Sequence, residues 1–255
     1  MKITILQRPG LIGKPEFTAD LEKTLANIAG SLSASTTLDG FSEMGWTRVD
    51  VQGDDSEVLS ELISRQLGRA QIYVSGIELH EVYRGVVIGE RKGNLGVGLG
   101  IEQPRPINLI VKEDTLRAQL TDGKTLPLEE IMDHYCLIGD SSVSVRVTRL
   151  DLDTGTIEGW LSDAQIELFS DWITTGLDRI QVFHCLPEKV ASAIRKANLE
   201  RDVIATEPMS LTAHSVVCKI GTDAAGLIPK LGSILRQSKL RPFLPKRIIA
   251  RCRPW

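Results

Sequence analysis

The sequence predicts an α+β chain in three parts: a small N-terminal α/β sandwich over residues 1–83, a central five-stranded β-barrel over 84–174, and a C-terminal β-α-β-α-β unit over 175–255. Three observations predict it. In the first and last thirds, apolar residues at three- and four-residue spacing alternate with short period-two runs. In the middle third, short strand-like runs with repeated glycines lie between turn signals. Finally, the charge of the chain reverses sign near residue 219. With 255 residues, 42% hydrophobic and 25% charged, the composition is that of a globular protein and excludes a disordered or fibrous one. The mean hydropathy of -0.02 fits the absence of an apolar run of the roughly 18 residues that span a bilayer.

The first part opens on Ile3 and Ile5, alternating with polar neighbours as a strand does, and Pro9-Gly10 ends that strand. Leu21, Leu25, Ile28, Ala29 and Leu32 then mark one helix face, with Glu16, Asp20 and Glu22 toward its positive end. Trp46, Val49 and Val51 make a second strand. Gly53-Asp54-Asp55-Ser56 turns it into a helix bearing Val58, Leu59, Leu62, Ile63 and Leu67, which Gly68 stops. In the middle part, 86–88, 95–101, 143–147 and 156–161 are strand-like, with a turn at 116–120 and a short helix near 126–131 between them. Glycines repeated inside the strand at 95–101 are what a small closed barrel requires where its strands coil. In the last part, Ile180-Gln181-Val182-Phe183 is a strand and Pro187 opens a helix. Ser215 to Ile220 is a strand, Gly221-Thr222-Asp223 caps a second helix through Leu235, and 247–251 is a final strand with Arg247, Arg251 and Arg253 on one face.

Gly85-Val86-Val87-Ile88, the glycine-rich second strand and Val143-Ser144-Val145-Arg146-Val147-Thr148-Arg149-Leu150-Asp151 carry a resemblance. This stretch resembles the RNA-binding OB-like barrel repeated in the largest bacterial small-subunit ribosomal protein. Leu120-Thr121-Asp122-Gly123-Lys124 and the stretch from Val217 to Gly232 make the whole chain similar to an archaeal family of unknown function with such a barrel at its centre. The resemblance implies RNA as a partner, in the ribosome or another structured RNA, and no activity. One departure matters: such barrels stack bases on aromatic residues of their second and third strands, and here the second strand offers Leu95, Val97 and Leu99.

Charge moves the expected contact elsewhere. The net charge of -3 divides into +8 for residues 219–255 and -11 for the rest, with -6 on the barrel alone. A basic segment of this kind points to an anionic partner. The predicted nucleic-acid-binding residues are therefore Lys219, Lys230, Arg236, Lys239, Arg241, Lys246, Arg247, Arg251 and Arg253. The amides of Gly221, Thr222 and Gly226, at a strand-to-helix junction, form a candidate anion-binding loop. That loop lacks the Lys-Ser/Thr of a nucleotide site, since Leu227-Ile228 follows its second glycine.

Other patterns exclude more than they offer. Gly93, Gly96, Gly98 and Gly100 lack the G-x-G-x-x-G order and lead into Pro104 and Pro106, so no dinucleotide fingerprint is present. His214 and Cys218 would share a strand face, but the spacings of the cysteines at 136, 185, 218 and 252 match no compact zinc motif. Asp54-Asp55, Glu129-Glu130 and Asp151/Asp153 sit at turns and helix starts, where acids are expected. The expectation is a cytosolic RNA-associated protein that needs no metal or cofactor, performs no catalysis and touches no membrane. Its acidic barrel or N-terminal part would face any protein partner. The alternatives are an adaptor whose basic end docks on an acidic protein and an enzyme with a dispersed site.

Overall fold

A computed structural model describes residues 1–252. The N-terminal unit runs β1 (Lys2–Ile5), α1 (Lys14–Ala29), β2 (Ala34–Phe41), β3 (Thr47–Gly53) and α2 (Ser56–Leu67). Its antiparallel sheet has the order β1-β3-β2. Phe17, Leu21 and Leu25 on α1 and Leu59, Ile63 and Leu67 on α2 recur every four residues, one face of a helix. They bury against Ile3, Ile5, Val49 and Val51 of the sheet. Each contributes about 1.5–3 kcal/mol by leaving water. Strand β2 escapes the sequence pattern because Ala-Ser-Thr-Thr-Leu-Asp-Gly-Phe has no apolar alternation; as an edge strand it is half exposed along its length. Leu32, expected on the first helix, lies beyond its end at Ala29.

The middle unit comprises β4 (Val82–Arg91), β5 (Asn94–Ile101), β6 (Ile107–Val111), α3 (Glu113–Leu120), α4 (Leu128–His134), β7 (Ser142–Asp151), β8 (Thr156–Leu161) and α5 (Asp163–Thr175). The strands close as β4-β5-β6-β8-β7, antiparallel except for β6 against β8. Helices between the third and fourth strands of such a barrel complete the oligonucleotide-binding (OB) topology. Leu95, Val97 and Leu99 point into the barrel, so the outward positions of β5 are Gly96, Gly98 and Gly100. Three stretches depart from the sequence pattern: Ile107–Val111 is a strand that no run in the sequence marks, 116–120 is the end of a helix instead of a turn, and α5 is added after the barrel.

The C-terminal unit is β9 (Arg179–Phe183), α6 (Pro187–Lys196), β10 (Val203–Ser210), β11 (Ala213–Cys218), α7 (Ala224–Ile234), β12 (Lys239–Phe243) and α8 (Pro245–Arg251). It has one strand more than the sequence pattern shows, because β10 pairs with β11 through a tight turn. The antiparallel order β10-β11-β9-β12 and the β-α-β-β-α-β chain order make it ferredoxin-like. The segment 247–251, expected to be a strand, is helical. Pro245 stands at the first turn of α8, where a missing N–H costs nothing, and the strand role falls to 239–243. Among the described residues, no helix is long and apolar enough to cross a membrane.

The three units share cores. Phe243, Ile248 and Cys252 join the barrel-side cluster of Tyr135, Phe169 and Trp172, with Trp172 and Phe243 edge to face at 5.1 Å. Leu186 and Leu211 join the N-terminal core. Arg84, on β4, ties all three: it donates to the carbonyl of Gln66 at 2.7 Å, to Ser142 Oγ at 2.8 Å and to the carbonyl of Met209.

Barrel closure depends on close backbone approach at Gly159 of β8, where a Cβ would stand 2.5 Å from the Arg146 carbonyl oxygen and 2.9 Å from Leu109. Gly159→Ala is expected to destabilise the protein by about 1–3 kcal/mol, the usual cost of overpacking, as measured by a lowered urea midpoint.

Candidate nucleic-acid interface

The predicted basic residues divide into two sets in the structure. Arg241 pairs with Asp133 at 3.5 Å, and Arg251 holds Glu130 with both Nε and Nη2, the closer at 2.7 Å. Arg251 keeps the Glu130 carboxyl below its ordinary range, chiefly by those hydrogen bonds. Arg247 lies near His134 and, after burial, is the next cause of that imidazole's lowered pKa. Lys124 Nζ adds a bond to the Arg251 carbonyl at 3.0 Å. The C-terminal helix thus docks on the acidic α4 of its own barrel, and two of the expected phosphate ligands, Arg241 and Arg251, are spent there.

The second set is free. Lys219, Lys230, Arg236, Lys239, Lys246 and Arg247 are exposed and take part in none of the ion pairs among the described residues, although Lys246 lies close enough to Asp178 to favour its carboxylate. Lys230 lies on α7 and Arg236 just beyond it, Lys219 and Lys239 at the ends of β11 and β12, and Lys246 and Arg247 on the first turn of α8. Arg253 lies outside the described residues.

The candidate anion-binding loop is already occupied by the protein's own anions. Asp223 caps α7 by accepting from Ala225 N at 3.0 Å and Gly226 N at 3.1 Å, and Asp178 accepts from Ala224 N at 3.3 Å. Gly221 supplies the positive φ of 85° for the turn, and Thr222 N is bonded to the Lys219 carbonyl. A phosphate at Gly226 would meet two carboxylates, and the loop has the geometry of a capped helix start.

The histidines and thiols are structural in their surroundings. His214 Nε2 faces the Cys185 carbonyl at 2.9 Å, and burial holds its pKa down. Burial also pushes the Cys218 thiol up to about 11 and raises those of Cys136 and Cys185, which leaves them protonated and weakly nucleophilic. Among the described residues, no group of three or more His, Cys, Asp and Glu is placed to hold a metal ion. Of the acids considered at turns, Asp55 accepts from Ser33 N at 2.7 Å and Asp151 from Thr154 N at 3.0 Å.

One surface residue escapes the reading of charge. Trp160 projects outward from β8 and is 45% exposed. Its cross-strand partner is Arg146, whose own partner on the next strand is the exposed Val82. Arg146 is held in place by bonds to the His80 carbonyl at 2.8 Å and to Asp163 at 3.3 Å. An exposed indole beside a fixed guanidinium is a surface on which a base can stack. The sequence does hold a signal for it: Ile157, Gly159 and Leu161 alternate inward, which leaves Trp160 facing out.

Comparison with known proteins bears mainly on the last unit. Residues 177–241 match the family described as DUF2110 C-terminal domain, a span running from β9 into β12. No curated protein matches the chain. Among solved structures, a protein from the Wisconsin strain of vaccinia virus is similar at 16% identity over 34% of this chain and 89% of that one, with a TM-score of 0.23. A chain of the a/eIF2alpha-aDim2p-rRNA complex from Pyrococcus horikoshii is similar at 12% identity over 48% of this chain and 64% of that one, with a TM-score of 0.26. Superpositions this poor say nothing about function, and the barrel is recognised by its own strand order and register.

Because burial favours the neutral forms of His134 and His214, the folded protein binds fewer protons there than the unfolded chain. Their contribution is therefore fully present above the unfolded histidine pKa of about 6.5 and is lost as pH falls below it toward the depressed folded values. The urea midpoint is expected to be lower at pH 5 than at pH 7.5, and His214→Leu to flatten that dependence.

Proposed function

We propose that this protein binds RNA and performs no catalysis, with its C-terminal unit gripping phosphates and its barrel offering Trp160 to a base. The observation that carries this reading is the set of exposed cations, Lys219, Lys230, Arg236, Lys239, Lys246 and Arg247, that form no ion pair with an acid among the described residues. A protein whose remaining sequence carries -11 has acids to spare, yet those near α4 are matched to Arg241 and Arg251 and leave this set uncompensated. Uncompensated cations on one unit attract a polyanion by releasing its condensed counterions. The contact is to phosphates and carries no sequence preference of its own. A structured RNA, such as that of the ribosome in the cytoplasm, fits a protein that presents phosphate ligands and a stacking residue on different units.

The same cations could dock on an acidic protein, and the experiment separates the two. Association with cellular RNA, followed by mobility shift at two salt concentrations, is expected to weaken steeply with salt. Replacing Lys230 and Lys239 by Gln is expected to reduce the slope of log K against log salt by about 1.4–1.8. A complex recovered from cells that survives nuclease treatment would favour the protein adaptor. Trp160→Ala is expected to weaken single-stranded RNA binding by about 1–3 kcal/mol, the worth of one base stack, with no change in the salt slope.

A further inference from the structure

The junction of the three units holds a second cationic site. Arg8 of the N-terminal unit, Arg84 of the barrel and His184 of the C-terminal unit line one half-enclosed pocket there, and Asp140 is the one carboxylate among the described residues lining it. Arg8 spends Nε and Nη2 on Asp140 Oδ1 and stacks on Trp46, 4.9 Å from the ring centre. His184 Nε2 stands 3.7 Å from Asp140 Oδ2. Arg84 donates only to carbonyls and to a hydroxyl, so its charge has no counterion, and burial pushes its pKa down. One carboxylate therefore faces two permanent cations and an imidazole.

The rest of the lining donates. Ser142 Oγ accepts from Arg84 and Ser210 Oγ from Thr212 N, which leaves each hydroxyl proton to give. Thr212 lines the pocket as well. Gln7, the amide in the wall, is spent on Leu67 and Leu211. The backbone is held out of its easy range to make this arrangement. Asp140 and His184 sit at φ of 71° and 58°, in the left-handed region that non-glycine residues adopt at a cost and that clusters at functional sites. Gly10, itself at a φ of 55°, packs beside the His184 ring. The void measures about 20 Å³, far too little for a nucleotide.

We propose that this junction binds a single small tetrahedral oxyanion, hydrogen phosphate, held by Arg8, Arg84 and the hydroxyls of Ser142, Ser210 and Thr212. Asp140 supplies the selectivity. Hydrogen phosphate carries a P–OH proton that the carboxylate accepts, whereas sulfate at neutral pH has no proton and meets Asp140 as a like charge. The bound ion would neutralise the guanidinium that ties the three units together.

Calorimetric titration of the full chain with inorganic phosphate and with sulfate, at matched ionic strength, tests this. The expected result is one saturable phosphate site, at least about 10-fold tighter than sulfate, from the one hydrogen bond to a charged group that sulfate cannot make. Arg8→Gln is expected to weaken phosphate binding by about 10-fold or more, and Thr212→Val, which keeps the side-chain shape, by about 3–10-fold. Asp140→Asn should erase the preference over sulfate. Far-UV circular dichroism and the urea midpoint identify any variant that fails to fold, and Thr212→Val then decides. Absence of a saturable site, equal binding of the two ions by the unaltered chain, or undiminished binding by a folded Thr212→Val and Arg8→Gln would overturn the proposal. The cations proposed for RNA are untouched by these changes, so either proposal can fail alone.

Discussion

Arg84 is the constraint on which the arrangement of this molecule turns. Its guanidinium reaches the last carbonyls of α2, the hydroxyl of Ser142 at the start of β7 and the carbonyl of Met209 at the end of β10. One side chain thereby completes the C-terminus of a helix in the first unit, a strand of the second and an edge strand of the third. A cation at a helix C-terminus is favoured by the helix dipole, and a guanidinium can serve several acceptors at once because its donors form a rigid planar fork. The shared apolar contacts at Leu186, Leu211 and Phe243 supply area, but area is not directional. The hydrogen bonds of Arg84 fix how the units are turned, and with them the shape of every cavity along the junction.

The same logic of matched and unmatched charge separates the surfaces. Where the basic C-terminal segment meets the barrel, acids on α4 answer it: Asp133 for Arg241 and Glu130 for Arg251. These pairs are partly exposed and each adds little stability by itself. Their effect is one of position, since they seat α8 so that Ile248 and Cys252 enter the aromatic core. The acidic partner required by an adaptor reading of the basic end is thus partly supplied by the chain itself. At the start of α7 the answer is local, with Asp223 and Asp178 filling the helix amides. Around the remainder of α7 no acid among the described residues pairs with the cations, and at the three-unit junction the single carboxylate of Asp140 stands against two guanidinium groups; those are the places where an external anion gains most.

Much of the fold is legible in the residues. The four-residue spacing of Leu59, Ile63 and Leu67, the stop at Gly68 and the alternation of Val143, Val145 and Val147 each report a burial face directly, because side-chain direction follows backbone period. The elements that escape the pattern lack that signal for identifiable reasons. Strands β2 and β10 are sheet edges whose side chains are largely exposed, so they need no apolar alternation. The helix at 245–251 reads as a strand because Arg-Ile-Ile-Ala-Arg suits either state, and Pro245 at its first turn is the deciding mark.

The site is legible only as a quantity. Sequence alone determined that the last 37 residues carry +8, that the barrel lacks an aromatic second strand, and that no nucleotide loop follows Gly226. It could not determine which cations are available, because charge is additive along a chain while neutralisation depends on distances of a few ångströms between residues such as 130 and 251. Tertiary structure decided that Arg241 and Arg251 belong to an internal interface, that the predicted loop is closed by carboxylates, and that Arg8, Arg84 and His184, far apart in sequence, meet around one pocket. Coulomb energy falls with separation in space and takes no account of separation in sequence.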